Sequence, residues 1–224
     1  VPALAAALLG WIIAIVLGVY FAGDRHAGGF DRTLTREIHS LVGIRSTLAN
    51  VLVAPTDSPA VYGLIILLVA VGLIQRRWQL AALAVVAPAA AVGICELVLK
   101  PLFDRRYHDG GLSYPSGHML AAGTVYAVAL LAILAVAPLV GRVLALVGGA
   151  ALAVVMAVGL VAMNYHYPTD AVGGFCLAIG ITLPCAVLAD LVAGRTRAQS
   201  IPAPRNETDP SLLPEPRPSV IENS

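Results

Sequence analysis

Charge is scarce in this chain. Of 224 residues, 14 are Lys or Arg and 13 are Asp or Glu, together 12%. A soluble domain averages about 25%. The net charge is +1, which offers no electrostatic footprint for a nucleic acid and excludes that partner. Cysteine is scarce too. Cys95, Cys176 and Cys185 all lie in apolar runs, without metal-ligand spacing. They read as packing thiols and exclude a disulfide framework. No internal repeat, heptad seam or nucleotide-binding glycine loop appears.

Apolar surface is abundant. Hydrophobic residues make up 58% of the chain, and the mean hydropathy is +0.85. That balance belongs to an integral membrane protein. A spanning helix needs roughly 20 mostly apolar residues. Uncharged runs cover 1–23, 58–75, 78–95, 119–141, 143–165 and 171–189. The first run also has the length of a signal peptide but lacks a basic n-region. Six spans are expected, and so an all-α fold: a six-transmembrane-helix bundle over 1–194.

Two stretches are not expected to span. Between 24 and 57, Phe30, Leu34, Ile38 and Leu41 recur at helical spacing. That spacing predicts an amphipathic helix lying in the interface after helix 1. Residues 195–224 hold six prolines, Pro202 to Pro218, with few apolar groups. They read as a disordered C-terminal tail.

Six spans put both termini on one side. Arg76 and Arg77 fall in the 2–3 turn, Arg142 in the 4–5 turn, and Arg195 and Arg197 after helix 6. Arg25, Arg32, Arg36, Arg45, Lys100, Arg105 and Arg106 fall on the other side. The positive-inside rule is strongest for short turns, which places the termini inside and loops 1–2, 3–4 and 5–6 outside. The chain is expected in the cell membrane, with its chemistry on the extracytoplasmic face.

Three polar clusters interrupt the apolar background: "ELVLKPLFDRRY" (96–107), "YPSGH" (114–118) and "NYHYPTD" (164–170). Ionisable groups at membrane depth are costly, so they mark function. The first cluster ends helix 3, the second starts helix 4, and the third starts helix 6. His118 and His166 are separated by two spans, so all three clusters meet at one membrane face.

Together they suit an anion. Lys100, Arg105 and Arg106 are positive. The N-terminus of helix 4 presents the N–H groups of Gly117 and His118, and Gly117 permits close approach. Ser116 can donate a hydroxyl or cap the helix. Pro168 suits a first helical turn, which puts His166 just before helix 6 and Asp170 about one turn on. A carboxylate there can hold one ring nitrogen and free the other as a nucleophile. Two histidines beside an anion site suggest a nucleophile and a general acid, and phosphate matches arginine forks. Plainer readings stand beside this one. The basic groups can snorkel to headgroups, Asp170 can cap helix 6, and Glu96 can neutralise Lys100 across a turn.

The segments "KPLFDRR", "YPSGH" and "HYPTD" resemble the type 2 phosphatidic-acid phosphatase superfamily, to which acid phosphatases and vanadium haloperoxidases also belong. The resemblance covers roughly 96–175. It implies a phosphatase acting through a phosphohistidine, with no metal and no cofactor. By motif position, His166 resembles the nucleophile, Asp170 its orienting partner and His118 the general acid. Lys100, Ser116 and Gly117 resemble the phosphate cradle. The sequence departs from the pattern twice. The family's Arg-Pro falls seven residues after the Lys, where this chain has Tyr107, with Arg105 and Arg106 just before it. The family's Arg six residues before the nucleophile is Leu160 here. Arg105 first, with Arg106 close behind, is expected to take the place of the first motif's Arg, and Arg106 or Asn164 to fill the gap left at Leu160. The implied substrate is a lipid phosphate: a polyprenyl pyrophosphate, a prenyl-linked sugar phosphate or a phospholipid phosphate. Richness in Ala, Val and Gly points to a GC-rich bacterium and its cell envelope. The other reading, from the missing Arg, is a catalytically weak or inactive member that binds lipid phosphates.

Overall fold

A computed structural model describes residues 2–108 and 110–199. It is all-α. Helix α1 spans Pro2–Tyr20 and α2 spans Gly29–Val42. Next come α3 (Thr47–Ile74), α4 (Trp78–Phe103), α5 (Gly117–Leu134) and α6 (Leu139–Ala162). The last helix, α7, runs Pro168–Gln199. All but α2 are long and apolar enough to cross a membrane. Within a bilayer every backbone group must be satisfied internally, and helices do this within one segment.

The outer surface is apolar: Leu8, Val16, Ile66 and Leu144 are each more than 60% exposed. The interior is small-chained, with Ala14, Ala84, Ala87, Ala91, Ala122 and Ala178 almost fully buried. Hydrocarbon gives little drive to hide large side chains, so spans associate by close packing of small ones. Helix α7 packs against α1, α4, α5 and α6. At the α1–α7 crossing, a Cβ on Gly10 would lie 2.5 Å from the Cys176 carbonyl oxygen, so that approach requires glycine. The three cysteines are free thiols.

Several helix limits differ from the sequence expectation. Helix α3 starts at Thr47, eleven residues early, and passes through a 3₁₀ turn at Ala54–Thr56 that contains Pro55. Helix α4 runs on to Phe103 through a π turn at Cys95–Leu99. Pro101 has no N–H to give Leu97, and a π turn is one way a helix absorbs such a loss. Arg142 lies in the first turn of α6, not in the connection before it. Helix α7 continues to Gln199; the rest of the Pro-rich tail, 200–224, lies outside the described residues. The amphipathic α2 forms as expected, but its apolar set divides. Ile38 joins the core, while Phe30, Leu34 and Leu41 are exposed.

Candidate active site

The three polar clusters converge at one end of the bundle. The His118 and His166 ring centroids are 5.7 Å apart, edge to face. Lys100, Gly117 and His118 line one cavity of about 600 Å³.

Each histidine is placed by a helix start. Ser116 is the N-cap of α5, and its hydroxyl accepts from the Met119 N–H at 3.2 Å. Ser116 is fully buried, and the cap uses its hydroxyl oxygen as an acceptor. Its own N–H donates to the Asp170 carbonyl at 3.1 Å, joining the second cluster to the third. His118 is exposed and stacks on Tyr165 with centroids 5.7 Å apart. The third cluster turns at Asn164, whose φ is 58°. Helix α7 then starts at Pro168. Asp170 reaches back to the helix start, Oδ2 accepting from the Tyr167 N–H at 3.1 Å, which is the acid half of a capping box. The same oxygen stands 3.8 Å from His166 Nδ1. That nitrogen is buried with no hydrogen-bond partner. Catalytic hydrogen bonds are often long without substrate and tighten when it binds.

Lys100, the one lysine of the chain, pairs with Glu96 at 2.7 Å. Both line the cavity with Gly117. A Cβ on Gly117 would lie 3.0 Å from Glu96 Oε1 and 3.6 Å from Lys100 Nζ. The tight approach at Gly117 is thus to the Glu96 carboxylate. Thr56 and Ser58 complete the polar end of the cavity. Val61, Ile65, Val85, Val92 and neighbours from α3 and α4 form an apolar wall that runs down the bundle.

The arginines are elsewhere. Neither lines this cavity. Arg105 is fully buried. Its Nη1 donates to Asp170 Oδ1 at 2.5 Å and to Thr169 Oγ1 at 2.7 Å, and its Nη2 to Asp31 Oδ2 at 2.6 Å. Phe21 and Tyr167 cover its guanidinium at 4.1 and 4.8 Å. Arg105, expected at the phosphate, grips two carboxylates in this structure. Arg106 pairs with Asp104 at 2.7 Å and donates to the Gly110 carbonyl at 3.1 Å, closing its own loop. Leu160 is fully buried in the core, so position 160 faces packing side chains.

Asp31 is the residue that sequence reading missed. It lies in the first turn of α2 and is fully buried. Its sequence signal was a carboxylate on an amphipathic helix. Tyr114, beside the site, donates its hydroxyl to the Ala14 carbonyl at 2.5 Å, and burial raises its pKa. Among the described residues, no group of three or more His, Cys, Asp or Glu could hold a metal. Another cavity, of about 550 Å³, lies at the Arg76–Trp78 end and is lined by no histidine or carboxylate.

The family comparison falls on this same stretch. A family model described as the PAP2 superfamily matches residues 99–191. The match supports membership of the type 2 phosphatidic acid phosphatase superfamily, and that family suggests phosphatase activity on phosphate esters. No curated protein and no solved structure matches it.

Proposed function

We propose that the protein removes a phosphoryl group from a lipid phosphate through a phosphohistidine at His166. One observation carries this reading. His118 lines a cavity that has Lys100 and Gly117 at one end and continues as an apolar wall, and its ring stands 5.7 Å from that of His166. The phosphoryl group would sit against Lys100 and the free N–H groups of α5, where the helix dipole favours negative charge. The lipid tail would lie along α3 and α4.

With Nδ1 of His166 turned to Asp170, Nε2 is left as the nucleophile. It forms a bond to phosphorus as the bond from phosphorus to the lipid oxygen breaks. His118 gives that oxygen a proton. Water then attacks the phosphohistidine, His118 takes up the proton, and inorganic phosphate leaves with His166 restored. Asp170 steadies the positive charge that grows on the imidazole. Lys100 and the amides stabilise the equatorial oxygens. A site at the extracytoplasmic face, as the arginines of the short turns favour, would take substrates from the outer leaflet.

The test is phosphate release by purified protein from polyprenyl pyrophosphate, a prenyl-linked sugar phosphate, phosphatidic acid and phosphatidylglycerol phosphate, beside a water-soluble phosphate ester. Release from at least one lipid, blocked by vanadate and unaffected by a chelator, is the expected result. Release from the soluble ester alone contradicts the lipid assignment. The second reading, a binding protein of the same fold, draws on Leu160 and the diverted Arg105, which leave Lys100, among the described residues, as the cavity's one fixed cation.

A further inference from the structure

We infer that Asp31, on the interfacial helix α2, is a positioning residue for the His166–Asp170 pair, acting through Arg105 and Thr169. This rests on the phosphatase reading above for its catalytic consequence. The geometry behind it stands separately.

Asp31 meets the start of α7 twice and Arg105 once. Its Oδ1 accepts from the Thr169 N–H at 3.0 Å. Its Oδ2 accepts from the Thr169 hydroxyl at 2.8 Å and from Arg105 Nη2 at 2.6 Å. Asp31, Arg105 and Asp170 are each fully buried. Water therefore cannot replace any of these contacts, and each lost partner leaves a charge without compensation.

The division of the guanidinium is the central feature. An arginine fork can grip one carboxylate with both arms. Here one arm goes to Asp170 Oδ1 and the other to Asp31 Oδ2. Asp170 Oδ2 is thereby left for the Tyr167 N–H and for His166 Nδ1, 3.8 Å away. If Asp31 lost its charge, Nη2 would have Asp170 as its remaining anionic partner in the knot. The fork would then close on both Asp170 oxygens and draw Oδ2 from the histidine.

Charge points the same way. One guanidinium against two carboxylates leaves the buried knot one negative charge in excess. That excess faces the imidazole that becomes positive as it is phosphorylated. Asp31→Asn would remove it while keeping the side chain's shape and an acceptor for Thr169.

The experiment uses the full-length protein in mixed micelles of detergent and lipid phosphate. Its readouts are kcat, KM, the unfolding temperature and the ¹⁵N signals of the His166 ring. Partners that orient a metal-ligating histidine typically carry roughly 10–100-fold of affinity or activity, and the same order is expected for this imidazole. Asp31→Asn should lower kcat by that order, leave KM within about twofold, and shift the His166 ring signals. Asp31→Glu, which keeps the charge, should recover part of kcat. Unchanged kcat with unchanged ring signals overturns the proposal. So does a loss confined to KM, or one that merely follows a fall in unfolding temperature. Should Asp31→Asn not fold, Asp31→Glu decides: lowered kcat at constant KM with shifted ring signals supports the proposal, and parental values overturn it. Should the parent protein release no phosphate, the phosphatase reading fails and the ring signals alone judge Asp31. A shift then upholds its positioning role, and no shift refutes it.

Discussion

On one side of His166 lie Asp31, Arg105 and Asp170, all sealed from solvent. On the other lie Glu96, Lys100 and His118, which open onto a cavity. Both sides carry charge, and they handle it differently. The sealed side fixes each carboxylate with hydrogen bonds between 2.5 and 3.1 Å. The open side has one ion pair, Glu96–Lys100, with Glu96 about half exposed, where solvent screening makes a pair weak. A sealed network holds a geometry, whereas an open pair can exchange partners with an arriving anion. The comparison assigns orientation of the nucleophile to one side and capture of substrate to the other.

The largest effect on folding should come from the sealed side. Arg105→Met leaves two buried carboxylates without their cation, and breaking a buried pair this way typically costs about 3–5 kcal/mol. Denaturation of the purified variant should show that loss together with lost turnover. A stable, active variant would mean the knot is not sealed in solution. Next comes the open side. His118→Ala should lower kcat roughly 10²–10⁴-fold, the usual share of a general acid, while the fold stays intact because the side chain faces the cavity. A loss of stability there would blur the division between the two sides. The smallest effect should be at Arg106, whose partners Asp104 and Gly110 sit in a partly exposed loop. Arg106→Ala should change stability by no more than about 1 kcal/mol and leave kcat/KM nearly as it was. A tenfold fall in kcat/KM, about 1.4 kcal/mol, would show that Arg106 reaches the substrate after all.

The open side was more legible in the sequence than the sealed one. In an apolar chain any ionisable residue stands out, and Lys100, His118 and His166 could be brought to one face simply by counting spans. The starts of α5 and α7 were also readable, because Ser116 caps one and Pro168 opens the other. The knot was hidden because its members are far apart. Asp31 and Arg105 are 74 positions apart, and Asp31 and Thr169 are 138 apart. Nothing local distinguishes Asp31 from a solvated charge on an amphipathic helix. Arg105's two carboxylate partners were hidden for the same reason, since a motif gives an arginine's position but not the anion it faces. Leu160 read as a missing ligand, whereas the fold uses it as core. An Arg there would have to bury a charge. Helix limits drifted where charged or proline residues lie inside helices, as Arg142 does in α6 and Pro101 does just after the π turn of α4.

The account's central claim is that His166 carries the phosphoryl group. Its most direct test is rapid quench of the purified protein with a ³²P-labelled lipid phosphate, followed by protein precipitation under alkaline and acid conditions. The account predicts alkali-stable, acid-labile label on the parent protein, enriched in His118→Ala, where proton transfer to and from the reacting oxygens is impaired. It predicts no label and no phosphate release in His166→Ala. Label that persists in His166→Ala, or turnover by that variant at more than about a thousandth of the parental rate, would contradict it.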